Sequence, residues 1–492
     1  MFVDESLEDV EFLSNWKKEK NVTDSEAQTK ELSVSEVAVQ SVRRKDKQVQ
    51  TEVEEQFGQI KLEDDNPELL EFVNRWEPFI RKQLGKNLRS HAFDGYGIQW
   101  DEEAEDLTLE HTLSHNEYSS DLQVTAVSWN STGAVVGSAL GRHDHEDWCT
   151  HKSVVCTWNL DRRTVQANKP DISIEMNGCI MSLSFHPTQP AILAAGTFNG
   201  EVIVWDTAKE NDMVLATSGI GESSHREPVT DIQWVHNPSV KGFKYSILSV
   251  GGDGRVLHWR ITSKNTLKIL DGFGVFASKL PRSLRARGDQ EVGLTSISYS
   301  NHEDTTFILG SNAGAIFKCS TTTSAVIRVN EPTSVELKDP VTLTFSPHKG
   351  PVHSVNLSPY HRHIFVSCGM DSSLRVYSLV QSDPIISIEP GEGYLHGSQW
   401  SPSRPLVLCT ATANGTLLIY DLLQNSAVPV AKTQVSSSSL YCVKFNKNQP
   451  QLICTGNGAG QIHVYRLTDH LCNQDSRELK KLEEYADTAL KN

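Results

Sequence analysis

The chain holds no uninterrupted apolar run near the ~20 residues that a membrane-spanning helix requires, so no membrane insertion is expected. Its opening residues, MFVDESLEDV, offer neither a basic nor an apolar region, and no signal peptide is expected. Nine cysteines are scattered singly through 492 residues without a CxxC pair. That usage excludes a disulfide framework and points to buried thiols in a reducing, intracellular compartment. Basic charge is scarce as well: 46 Lys and Arg against 62 Asp and Glu leave a net of −16. Without a large basic face the chain lacks the phosphate-neutralising side chains that bulk nucleic-acid binding needs. GxSxG, P-loop and HExxH patterns are missing too. GNGAGQI (Gly456 to Ile462) imitates a dinucleotide fingerprint, but it joins two short strands and leads into no helix. GGDG fails likewise, and these glycines read as hairpin turns. The expectation is a non-enzymatic protein with no cofactor and no nucleic-acid partner.

What charge there is lies unevenly. Residues 1–120 carry 28 Asp and Glu against 14 Lys and Arg, a net of −14, which leaves −2 for the rest. Residues 1–65 therefore read as a disordered acidic arm, with one short amphipathic helix possible at SLEDVEFLSNW (Ser6 to Trp16), and the remainder as a near-neutral globule.

From about Val124 the sequence repeats a unit of alternating apolar strand, strand of small residues, Gly- or Asn-containing turn, and strand ending in an aromatic. IMSLSFHP, AILAAGTFNG and EVIVWDT form one copy; PVHSVNLSPY, HIFVSCGMDSS and LRVYSL form another. Seven copies close at Trp158, Trp205, Trp259, Lys318, Tyr377, Tyr420 and Tyr465, the shorter spacings approaching the ~40–45 residues of a WD40 blade. One four-stranded unit cannot bury both faces alone; stacking units radially does so, and closing the ring removes free edges. The fold expected is all-β, a seven-bladed propeller over 106–472, with LTLEHTL (Leu107 to Leu113) closing the last blade. The repeats resemble the WD40 family, although only Trp205-Asp206 and Tyr420-Asp421 keep the Asp of the WD dipeptide.

Two stretches, 264–292 and 325–349, read as lengthened links between blades, either solvated or partner-binding. The first carries Lys279, Arg282, Arg285 and Arg287. DSRELKKLEEYADTAL predicts a charged C-terminal helix within 473–492, N-capped by Asp475 or Ser476. HDHEDWCTHK (His143 to Lys152) holds His143, His145, Cys149 and His151, but without a matched ligand pair it reads as a polar hairpin loop with Trp148 tucked in, and no metal is expected.

Ahead of the propeller, Asn66, Pro67 and Glu68 suit a helix start. Leu69, Phe72, Val73, Trp76, Phe79 and Ile80 then recur at three and four, an apolar stripe on a helix over 66–86. Pro78 is expected to kink or split it and Gly85 to stop it, before an acidic linker at 87–105. Such a stripe packs either on the propeller or on a separate protein.

KDKQVQTEV (Lys45 to Val53) alternates like a strand inside the acidic arm, with Val49, Thr51 and Val53 on one side. A disordered segment with strand periodicity suits β-augmentation of a partner's sheet. Lys47, Gln48, Val49, Gln50 and Thr51 resemble the KxTQT anchor of the dimeric TQT-binding dynein light chain, with Val49 where Thr is usual. EAQT (Glu26 to Thr29) is a weaker second match.

Anchor strand, amphipathic helix and WD40 propeller, in that order, resemble the dynein intermediate chains. RWEPFIRKQL, EDWCTHKSVVCTWNL and FNGEVIVWDT are most similar to the cytoplasmic dynein 2 class. The resemblance implies a non-catalytic scaffold of the motor that drives retrograde intraflagellar transport and supports cilium assembly. It implies a TQT-type light chain on Lys47–Thr51, a roadblock-type light chain on the helix, the heavy-chain tail on the propeller and a second intermediate chain as partners. For the heavy-chain contact the sequence names no residues; the basic insert with Arg282, Arg285 and Arg287 is a guess at that surface. The implied location is cytoplasm, cilium axoneme, ciliary base and centrosome. An intermediate chain of another dynein class, or a WD40 substrate adaptor of a ubiquitin ligase, is the alternative.

Overall fold

The computed structural model describes residues 67–89 and 106–491, apart from short stretches at 146, 222–223, 238–243, 263, 286–287, 289, 328–334 and 476. Two units are distinguished, Met1–Trp100 and Asp101–Asn492. Among the described residues the first contributes one helix, α1 (Pro67–Arg89), and the second carries seven β-sheets, the blades of a propeller. No described helix is long and apolar enough to cross a membrane.

The blades follow the expected repeats. Their inner strands begin at Gln123, Ile180, Val229, Leu294, Val352, Leu395 and Leu440. Second strands such as Ile192–Thr197 and Val407–Thr412 are buried at every residue, because both faces of a blade press on neighbours. That is why they read as unbroken runs of small and apolar side chains rather than alternating ones. Outer strands recover the period of two, as in Ile172–Asn177, where one face meets solvent. The closing aromatics Trp158, Trp205, Trp259, Tyr377, Tyr420 and Tyr465 are all buried. In blade four Lys318 is only partly buried and Phe317 fills the core instead. Turn glycines are where the repeats put them: Gly415 has φ 81°, and a Cβ there would sit 2.0 Å from the Ser436 carbonyl oxygen.

Ring closure is as expected. Leu107–Leu113 pairs antiparallel with Ile462–Leu467, so a strand from before blade one completes blade seven. Leu107 and Leu113 are buried there, and joining the propeller's first and last strands in one sheet leaves no free edge at the seam.

A device invisible in the repeat pattern recurs at the inner rim. Each of the seven inner strands has a bulge after its first or second residue, leaving one residue out of register. In blades one and three that residue is Thr125 or Thr230, whose hydroxyl donates to the carbonyl of Ile180 (2.6 Å) or Leu294 (2.9 Å) in the next blade. Thr295 does the same for Val352. In blades five to seven the bulged residues are His353, His396 and Tyr441, which tie blades by ring contact at 5.0 and 5.2 Å.

Both lengthened links prove to be built into the fold. Leu267–Gly274 is the fourth strand of blade three, and Val275, Ala277, Leu280 and Val292 enter the core between blades three and four. Of the second link, Leu337–Lys338 adds a fifth, parallel strand to blade three and Val341–Thr344 is the fourth strand of blade four. The free-loop reading is thus corrected: variable spacing concealed outer strands whose sequences are only half apolar.

After blade seven come a single turn, α2 (Asp469–Cys472), and the expected charged helix, α3 (Glu478–Lys491). Asp475 accepts the Arg477 amide at 2.9 Å, an Asx cap at the start of α3. The helix lays Leu482 and Ala486 into the core of blades five and six, and Tyr485 donates to the Leu422 carbonyl. It is fastened by a buried triad in which Arg404 holds Asp421 and Glu478.

Candidate functional site

Helix α1 presents the expected stripe. Phe72, Val73, Trp76, Phe79 and Ile80 are all exposed, Trp76 the least so at 42%. Trp76 sits between Phe72 and Phe79, with ring centroids 6.4 and 6.0 Å away, so the three rings form one continuous surface. The far side is charged, with an i,i+4 pair between Glu77 and Arg81. Leu69 lies in the first turn of the helix; Asn66 falls outside the described residues. The expected stop at Gly85 is corrected, as is a split at Pro78. The helix runs through Pro78 without a break, and it passes Gly85 to end at Arg89. One Pro removes a single i→i−4 hydrogen bond, which the flanking turns outlast, and nothing after Gly85 forces a stop. The anchor strand Lys47, Gln48, Val49, Gln50 and Thr51, and the motif at Glu26–Thr29, lie outside the described residues.

In the propeller the structure reveals two relays that sequence reading missed. In blade three His225 Nδ1 meets Asp253 Oδ1 at 3.0 Å, His225 Nε2 meets Ser249 Oγ at 2.7 Å, and Trp259 Nε1 donates to the same hydroxyl at 2.7 Å. Blade five repeats the device with His348, Asp371 and Ser367 at 2.9 and 2.8 Å. The Ser–His–Asp geometry is that of a nucleophilic triad, but a nucleophile must face its substrate. Here Ser249, His225 and Ser367 are buried and Ser249 is claimed by Trp259. The relays fasten the segment ahead of each inner strand to the blade's second strand and to the turn that follows it. The legible signal was a His ahead of each inner strand, 28 residues before Asp253 and 23 before Asp371.

The basic residues of the first insert are partly spoken for. Lys279 pairs with Asp339 at 2.5 Å, and Arg285 folds back to donate to the carbonyls of Ser278 and Leu280. Arg282 is exposed, and Arg287 lies outside the described residues.

The loop 142–151 differs from its reading as a polar hairpin with Trp148 tucked in: Trp148 is 59% exposed. His143 turns away to meet the Tyr441 ring, tilted by 44° with centroids 4.3 Å apart. His145, Cys149 and His151 instead come together and are joined by Cys179, which precedes the inner strand of blade two. Their ligating atoms all lie within 4.8 Å of one another. The fourth member is 28 residues beyond His151, so local spacing gave no hint of it.

Residues 295–467 match the family model described as dynein axonemal intermediate chain 3 WD40 domain. Cytoplasmic dynein 2 intermediate chain 2 of Mus musculus is 37% identical over 98% of this chain and 91% of its own length. Its Homo sapiens counterpart is 38% identical over 85% of this chain and 79% of its own. The cytoplasmic dynein 1 intermediate chain of Drosophila melanogaster is 24% identical over 87% and 62%. At 37% identity over 98% of its length, the chain belongs to the WD40-repeat dynein intermediate chains, in the family of cytoplasmic dynein 2 intermediate chain 2.

Proposed function

We propose that the chain is the non-catalytic scaffold of a cytoplasmic dynein 2 motor serving retrograde intraflagellar transport and cilium assembly. The observation that carries this reading is the exposed aromatic stripe of α1. Burying side chains of that size stabilises a complex by roughly 1.5–3 kcal/mol each, so a helix displaying Phe72, Trp76 and Phe79 together is built for a protein partner. A roadblock-type light chain is that partner, with Leu69, Phe72, Val73, Trp76, Phe79 and Ile80 as its contacts.

The strand Lys47–Thr51 takes a dimeric TQT-type light chain by β-augmentation, Gln50 and Thr51 serving as principal anchors. Each contact is weak alone because fixing a peptide segment on a partner costs conformational entropy. A dimeric light chain tethers two intermediate chains, and the helix contact then forms at high effective concentration. The propeller docks on the heavy-chain tail, with the insert at Arg282, Arg285 and Arg287 as contact surface. ATP hydrolysis belongs to the heavy chain. The organisation is an arm at 1–65, a partner helix, a linker, the propeller and the C-terminal helix, and the location is cytoplasm, ciliary base, centrosome and axoneme.

The test is affinity purification of the full chain, wild type beside Gln50→Ala/Thr51→Ala and Trp76→Ala/Phe79→Ala, with co-purifying light chains identified by mass spectrometry. The first variant is expected to lose only the TQT-type light chain and the second only the roadblock type. Retention of both by both variants refutes the assignments; retrieval of a cullin-bound scaffold instead of light chains supports a ubiquitin-ligase adaptor.

A further inference from the structure

We propose that His145, Cys149, His151 and Cys179 form a four-ligand zinc site that staples blade one to blade two. Three of the ligands come from the loop between the second and third strands of blade one, and Cys179 from the entry to blade two. His145 Nε2 is 3.1 Å from Cys149 Sγ, and Cys149 Sγ is 3.7 Å from His151 Nδ1. A tetrahedral zinc with Zn–S of about 2.3 Å and Zn–N of about 2.0 Å separates sulfur from nitrogen ligands by roughly 3.5 Å. The observed separations straddle that value, and the whole set fits within 4.8 Å.

What surrounds the ligands fits the same role. Both sulfurs accept backbone amides, Cys149 from Cys179 N–H at 3.2 Å and Cys179 from Arg142 N–H at 3.4 Å. Such amide donors are the outer hydrogen bonds that orient and tune sulfur ligands of a metal. Asn199 clamps the Cys149 backbone at both ends, its Oδ1 accepting the amide at 3.0 Å and its Nδ2 donating to the carbonyl at 2.9 Å. The His145 ring is set by stacking on Phe198 at 4.0 Å and 21°. Phe198 and Asn199 both belong to a turn of blade two, so the neighbouring blade orients ligands of the first.

The charge balances as well. Two thiolates and two neutral imidazoles cancel a divalent ion, which suits a site whose cysteines are buried. Four protein ligands leave no open position, so the ion is structural rather than catalytic. Binding releases the two thiol protons to solvent, and uptake therefore weakens in acid.

The experiment is elemental analysis of the full chain, expressed with added zinc and purified without chelator, followed by exchange into Co(II). Wild type is expected to hold about one zinc per chain and to show the thiolate charge-transfer and tetrahedral bands of cobalt. Cys179→Ser should lose both. His151→Ala, at the exposed position and so harmless to folding, should weaken zinc affinity by at least about tenfold. His143→Ala, in the same loop but outside the cluster, should bind as wild type does. A folded wild type without zinc, or one whose Cys149 and Cys179 are joined as a disulfide, overturns the proposal. So does zinc retained unchanged by His151→Ala and Cys179→Ser.

Discussion

Arg404→Met should release the C-terminal helix. The Arg404 guanidinium is 5% exposed and donates to Glu478 Oε1 from Nε at 2.6 Å, to Asp421 Oδ2 at 2.8 Å and to the His470 carbonyl at 2.7 Å. Both carboxylates are wholly buried, and among the described residues Glu478 Oε2 has no hydrogen-bond partner. Removing the cation leaves two like charges without compensation, a loss of about 3–5 kcal/mol by analogy with broken buried pairs. Against this stands the apolar docking of α3, chiefly Leu482 and Ala486, worth about 3 kcal/mol. The penalty equals or exceeds the docking energy, so the helix should lift off and let Glu478 hydrate rather than unfold the ring. Hydrogen exchange is the assay. Amides of the α3 segment should lose protection by roughly 100-fold or more, since each 1.4 kcal/mol is a factor of ten, while blade-two amides stay unchanged. Burial already raises the Glu478 carboxyl above its usual range, so the effect should shrink in mild acid as Glu478 takes a proton. Protection of α3 within threefold of wild type at neutral pH would refute the view that the triad holds the helix.

Two further outcomes follow from buried histidines, beside the light-chain and zinc tests above. Burial holds His396 and His463 down at about 4, against an ordinary 6.5. The folded chain thus binds fewer protons than the unfolded one between those values. Stability is whole above about pH 6.5 and is lost as pH falls toward 4, about 2 kcal/mol per ring by pH 5. Thermal melts at pH 7 and 5 should differ accordingly, and His396→Gln/His463→Gln should shrink the difference, His186 being held down in the same way; an unchanged slope counts against the assignment. His225→Ala strips buried Asp253 of its side-chain hydrogen-bond partner, leaving the Arg226 and Arg255 amides, and should cost about 3 kcal/mol or more, read as a lowered midpoint in denaturant. A loss under 1 kcal/mol would mean that water replaces the ring and the relay is dispensable.

Most of the architecture is written in local pattern. Strand alternation, aromatic closers and turn glycines are properties of ten-residue windows, so seven blades, the closing strand Leu107–Leu113 and the stripe of α1 could be read before any coordinates. The same holds for the acidic imbalance of the first 120 residues, which is simple counting. What pattern cannot encode is contact across blades. The bulged Thr, His and Tyr residues at the inner rim have meaning only once neighbouring blades supply carbonyls and rings for them. His225 and His348 looked incidental until folding set Asp253 and Asp371 beside them. The outer strands hidden in 264–292 and 325–349 are half-exposed, and their weak apolar signal becomes a strand only where an edge waits to pair. Arg404 and Glu478 lie 74 residues apart, and Cys179 lies beyond the loop that holds its three companions. Tertiary structure decided those sites because each depends on a distance between segments that no local periodicity constrains.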